Sequence, residues 1–118
     1  MSINTLALAA VLILSATSAM AQSAGTQAYA QCMACHATSA ANGIGPGLQG
    51  IVGRTSASQP GFRYSPAMKR VKLTWDEKTL DAYLENPQAV VPGNLMPYSG
   101  MADAKQRADL IAYLATLK

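Results

Sequence analysis

An all-α fold of three to five helices joined by long irregular loops is predicted by three features of this 118-residue chain. Apolar residues recur at helical spacing twice, as Leu80, Tyr83 and Leu84 and as Leu110, Tyr113, Leu114 and Leu117, so each set lines one face. Helix-start signals stand ahead of both runs and ahead of a shorter one. No segment shows the apolar–polar alternation of a strand, and the intervening stretches are rich in glycine and proline. There is no internal repeat.

From the N-terminus, an apolar run from Leu6 to Leu14 is followed by small residues ending in Ala19-Met20-Ala21, which fits a secretory leader cut before Gln22. Residues 1–21 are therefore read as a signal peptide and residues 22–118 as one domain. The leader carries no Lys or Arg, which leaves an uncleaved membrane anchor as the alternative, although its apolar core is shorter than the about 20 residues of a span. Export places the mature chain in an oxidising compartment, the bacterial periplasm.

Ser23 caps a first helix on which Gly25, Tyr29, Cys32 and His36 share a face and which the Cys32–His36 segment ends. Residues 41–47 and 53–61 are loops, too rich in glycine, serine and proline for regular structure. Ser65 followed by Pro66 opens a short helix, because proline at the first helical position gives up no needed donor. Thr74-Trp75-Asp76-Glu77 is a capping box for a helix from Trp75 to about Glu85, which Asn86-Pro87 stops. Asp103 with Gln106 caps a last helix that runs to the C-terminus. Loops this long are uncommon in a small domain, and they point to a large ligand against which their apolar residues are buried.

Cys32-Met33-Ala34-Cys35-His36 says which ligand. Two thiols three positions apart project from nearly the same side of a helix, and a histidine directly after them completes the attachment signature of a c-type haem. The sulfurs form thioethers to the porphyrin, and the tethered imidazole is a good ligand for its iron. Other readings of the pair are weaker. A disulfide there closes a very small loop and removes little chain entropy. A thioredoxin-like redox pair belongs after a strand in an α/β chain. Tetrahedral zinc needs more ligands than two cysteines and one histidine. The formal charge of +3 is mild, and Lys69, Arg70 and Lys72 form a cluster without a basic arm or interleaved aromatics, so nucleic acid is not a supported partner.

A second axial ligand has to come from the methionines. Met33 lies inside the attachment motif, Met68 in the short helix, Met101 near the last helix, and Met96 in the stiff segment from Pro92 to Tyr98. A lone methionine is more often core filler, so spacing alone leaves the ligand open.

Six motifs point to a family: Cys-Met-Ala-Cys-His at 32–36, Gly-Pro-Gly-Leu at 45–48, Pro-Gly-Phe-Arg-Tyr at 60–64, Tyr-Leu-Glu-Asn-Pro at 83–87, Pro-Gly-Asn-Leu-Met at 92–96 and Asp-Leu-Ile-Ala-Tyr-Leu at 109–114. From Gly25 to Leu117 the chain resembles class I cytochrome c of the mitochondrial-type, cytochrome c2-like branch. The resemblance implies the cytochrome c fold around one haem c held through Cys32 and Cys35. It implies His36 and Met96 as axial ligands, with the Pro46 carbonyl accepting a hydrogen bond from the ring nitrogen of His36 that faces away from the iron. It implies Tyr64 and Trp75 in hydrogen bonds to a haem propionate with Arg54 nearby, Tyr83 against the haem beside Met96, and Asn94 among the haem-binding residues. Gly25, Tyr29, Leu110 and Tyr113 match the family's crossing of first and last helices.

The function so implied is that of a soluble, monomeric periplasmic electron carrier, not an enzyme, cycling between Fe(III) and Fe(II). Its partners are respiratory or photosynthetic redox proteins such as a quinol–cytochrome c reductase, a terminal oxidase or a periplasmic dehydrogenase. Some positions depart from the family pattern: Met68 replaces a frequent buried asparagine, Asn94 a usual threonine and Leu95 a usual lysine, and no charge lies between His36 and Pro46. The docking face is therefore expected to be less basic and its rates less sensitive to salt. Two rival functions are a peroxidase-like enzyme, for which the single histidine leaves no distal acid–base pair, and a haem-bearing subunit of a fixed complex.

Overall fold

Residue 17 and residues 19–118 are described in the computed structural model. The apolar run at 6–14, read as a leader, lies outside the described residues. The first helix, α1, is described from residue 19 to residue 29, and four more follow: α2 (Pro66–Arg70), α3 (Glu77–Glu85), α4 (Pro87–Val90) and α5 (Ala104–Leu114). Among the described residues there is no strand, only an isolated antiparallel bridge between Thr55 and Thr74. No helix among them is long and apolar enough to cross a membrane.

The helix starts divide into those set by local chemistry and those set by the surroundings. Ser65 caps α2 by accepting from the Met68 amide at 3.0 Å with Pro66 first in the helix, and Asp103 caps α5 by accepting from the Gln106 amide at 2.8 Å. Two expectations need correction. Ser23 lies inside α1 and not at its start, because Ala19, Met20, Ala21 and Gln22 ahead of it are themselves good helix formers. The cap of α3 is Asp76, which accepts from the Thr79 amide at 2.8 Å. Thr74 cannot cap it, since its backbone is extended in the bridge to Thr55. Helix α4 was not foreseen: Asn86 both ends α3 and caps α4, accepting from the Ala89 amide.

Helix α5 supplies the centre of the core through Leu110, Ile111 and Leu114, and α3 packs on it through Leu80, Tyr83 and Leu84. Where α1 meets α5 the backbones come very close: a Cβ on Gly25 would sit 2.6 Å from both the Asp109 carbonyl oxygen and Tyr113 Cβ. Only glycine permits that approach. One turn later the rings of Tyr29 and Tyr113 meet at 5.3 Å. Arg107, buried on α5, donates through Nε to Asp81 of α3 at 2.8 Å and through a guanidinium nitrogen to the Met101 and Ala102 carbonyls at 2.9 Å each. It ties two helices to the loop that precedes α5.

Candidate functional site

Helix α1 gives way after Tyr29 to a run of turns through Cys35, so the Cys32–His36 segment follows the helix instead of lying within it. The cause is a tightening of the backbone, in which the Cys32 amide bonds to the Tyr29 carbonyl three residues back at 2.8 Å. His36 is then fixed from several sides. Its amide donates to the Cys32 carbonyl at 2.9 Å, its carbonyl accepts from the Tyr29 hydroxyl, and its Nδ1 lies 2.8 Å from the Pro46 carbonyl oxygen. A carbonyl only accepts, so Nδ1 carries the proton and Nε2 keeps its lone pair. Gly45 presses flat on the ring, where a Cβ would stand 2.4 Å from the imidazole Cε1. Cys32 and Cys35 are free, half-buried thiols, and burial followed by the neighbouring Cys35 pushes the Cys32 thiol up.

These groups line a cavity of about 360 Å³ together with Met96. Its walls are mostly aliphatic, from Ile51, Met68, Leu80, Leu84, Leu110 and Leu114. Met96 is held by its own loop. The Asn94 amide group donates to the Val91 carbonyl, and its oxygen accepts from the Met96 amide, both at 3.0 Å. Gln88 braces the same turn, donating to the Asn94 carbonyl and accepting from the Gly93 amide, both at 3.0 Å. An asparagine accepting from the amide two residues on is a turn signal legible in the sequence, whereas the Gln88 brace carried no such signal.

On the rest of the lining, Trp75 and Tyr83 are buried with ring centroids 4.9 Å apart. Neither the Trp75 indole N–H nor the Tyr83 hydroxyl donates to an atom among the described residues, and burial pushes the Tyr83 hydroxyl up to about 12. Tyr64 accepts from the Gln59 amide at 3.1 Å, which leaves its own proton to donate. Trp75 is joined to the 53–54 segment by two backbone bonds, Trp75 amide to Arg54 carbonyl and Gly53 amide to Trp75 carbonyl, each 2.8 Å. The Arg54 guanidinium donates to the Gly47 and Gln49 carbonyls. All ten residues singled out from the sequence, Cys32, Cys35, His36, Pro46, Arg54, Tyr64, Trp75, Tyr83, Asn94 and Met96, line this one cavity.

A cavity of this size, aliphatic in its walls and offering two thiols, a nitrogen lone pair and a thioether, fits an iron porphyrin. The cytochrome c family model matches residues 22–118. The chain belongs to the cytochrome c family. It is 52% identical over 94 residues to the cytochrome c2 of Rhodomicrobium vannielii, covering 78% of this chain and 75% of that one. To the cytochrome c of Trypanosoma brucei brucei it is 48% identical over 85 residues, covering 72% and 91%. Among solved structures, cytochrome cH from Methylobacterium extorquens superposes with a TM-score of 0.77 at 42% identity, covering 80% of this chain and 96% of that one. This cytochrome c is thus of the class I, c2-like kind, an electron-transfer protein with one covalently bound haem c.

Proposed function

We propose that residues 22–118 form an exported, monomeric carrier that passes single electrons between redox proteins in the bacterial periplasm, residues 1–21 being a leader removed on export. A quinol-oxidising complex, a terminal oxidase or a periplasmic dehydrogenase are the partners such a carrier serves. The observation that carries the reading is the His36 imidazole, its Nδ1 proton committed to Pro46 and its Nε2 lone pair left for a metal in a cavity that also holds the Met96 thioether.

When bound, haem c supplies an iron that gains and loses one electron. Cys32 and Cys35 would tether it through their sulfurs, and His36 and Met96 would hold its iron. The Pro46 carbonyl strengthens the donor power of His36 and fixes its tautomer. Asn94 sets the register of the Met96 backbone by accepting from its amide. The soft thioether favours the ferrous state, and the aliphatic wall disfavours the extra charge of the ferric state, so both raise the reduction potential. Trp75 and Tyr64 would donate to a propionate, with Arg54 offsetting its charge, and Tyr83 would lie on the same cavity wall as Met96.

Replacing Met96 by histidine is expected to lower the potential by on the order of 100 mV or more, as a harder nitrogen donor favours the ferric state. An unchanged potential removes Met96 from the ligand role. Intact mass of the exported protein tests the leader, which predicts a mature chain starting at Gln22 and carrying one haem.

A further inference from the structure

Asn42-Gly43 is the chain's one asparagine–glycine step, and both residues are exposed in the irregular loop that leads from His36 to Pro46. Neither packing nor backbone geometry requires the glycine. Its φ is not positive, and a Cβ on it would meet only the Cys35 carbonyl oxygen, at an ordinary 3.6 Å. Gly45 and Gly47 in the same loop differ, since a Cβ on either would stand 2.4 or 2.5 Å from a neighbour. Each of the three polar atoms of the pair is held by a hydrogen bond. Asn42 Nδ2 donates to the Pro60 carbonyl at 2.9 Å, Asn42 Oδ1 accepts from the Gly47 amide at 3.1 Å, and the Gly43 amide donates to the Gly45 carbonyl at 3.0 Å. Together with Gln59, which donates to the Ala40 carbonyl at 2.9 Å, the Asn42 bond to Pro60 fastens the loop to residues 59–61.

We infer that Asn42-Gly43 is a deamidation site that the fold holds in check and that reacts when its loop opens. The Gly43 amide nitrogen gives its proton to hydroxide and attacks Asn42 Cγ. A Cγ–N bond forms, the Cγ–Nδ2 bond breaks, and Nδ2 leaves as ammonia after taking a proton from water. Water then opens the cyclic imide, giving aspartate where the new Cγ–N bond is cut and isoaspartate where the original peptide bond is cut, so water enters and ammonia leaves. Glycine puts no Cβ beside the attacking nitrogen. The other asparagines are less suited: Asn86 precedes Pro87, whose nitrogen has no proton to lose, and Asn94 is buried ahead of Leu95. In the folded chain the attacking nitrogen and the leaving group are committed to other partners, and the three bonds have to part together. The product carboxylate still accepts from the Gly47 amide, but it has no proton for Pro60 and turns a negative charge toward that carbonyl oxygen. Gly47 adjoins Pro46, whose carbonyl orients His36, so conversion loosens the loop on the histidine side of the cavity.

The test incubates the haem-loaded protein in weakly alkaline buffer, folded or unfolded in guanidinium, and follows acidic forms by ion exchange and peptide mass. Three hydrogen bonds, each worth up to about tenfold in an equilibrium, predict conversion at 42–43 about a hundredfold slower in the folded protein than in the unfolded chain. Gly43→Ala, for which the loop has room, slows conversion in both states. The isolated acidic form, and Asn42→Asp as its copy, unfold at lower denaturant than the parent. Equal rates in the two states overturn the inference, as do conversion of Gly43→Ala at the parent rate and an unfolded chain that stays intact at 42–43. So do a folded protein still unmodified after about a thousand half-times of the unfolded chain and an acidic form that melts with the parent.

Discussion

The pressure of Gly45 on the His36 ring sets how much freedom the imidazole has. With a Cβ placed 2.4 Å from Cε1, Gly45→Ala has to push the ring off Pro46 or distort the loop, and we expect a loss of about 2–3 kcal/mol in denaturant melts of the holoprotein. The reduced variant should also bind carbon monoxide, and the parent should not. Tyr83 gives a second test. Its hydroxyl is held neutral up to about 12, whereas an unfolded tyrosine ionises near 10, so the unfolded chain loses this proton first as pH rises. The stabilisation is complete below about pH 10 and disappears between about 10 and 12, where it amounts to about 2–3 kcal/mol. Tyr83→Phe should flatten that part of the alkaline stability curve, as read by melts at each pH. At this scale the sequence was highly legible, because attachment chemistry demands fixed residue types at fixed spacing. The Gln88 brace and the Arg107 anchor were not legible, since a side chain that serves distant carbonyls leaves no local pattern.

Helices were legible where the cap and the helix lie in one stretch of chain, as at Ser65 and Asp103. They were misread where something remote competes. Thr74 looks like a cap but is drawn into the bridge with Thr55, and the start of α3 passes to Asp76. The crossing of α1 and α5 depends on the missing side chain of Gly25, 2.6 Å from backbone and Tyr113 alike. Gly25→Val should part the two helices and cost about 3 kcal/mol or more in thermal or chemical melts, while Gly25→Ala should cost less. The Tyr29–Tyr113 contact would be lost with it, and through Tyr29 the support of the His36 carbonyl.

For the whole molecule, haem and fold depend on one another. The cavity of about 360 Å³ lies against Leu110 and Leu114, the centre of the protein's own core. Without haem the aliphatic wall loses the surface it packs on, a large loss for a small domain whose whole stability is about 5–15 kcal/mol. Protein made with Cys32→Ala and Cys35→Ala, and so without attached haem, is expected to be largely unfolded by far-ultraviolet circular dichroism. A native helical spectrum from that variant would show that the polypeptide alone sustains the fold.

The sequence by itself determined the class of fold, the cofactor and its attachment, since helix periodicity, local caps and the Cys-x-x-Cys-His spacing are properties of contiguous chain. Tertiary structure alone decided that Gln88 braces the Met96 loop, that Arg107 ties α3 and α5 to the loop between them, and that the Tyr98 hydroxyl donates to Gln31. The physical reason is distance along the chain. A hydrogen bond between residues 31 and 98, or a glycine laid on a ring nine residues earlier, exists only once packing has brought together groups that no local pattern relates.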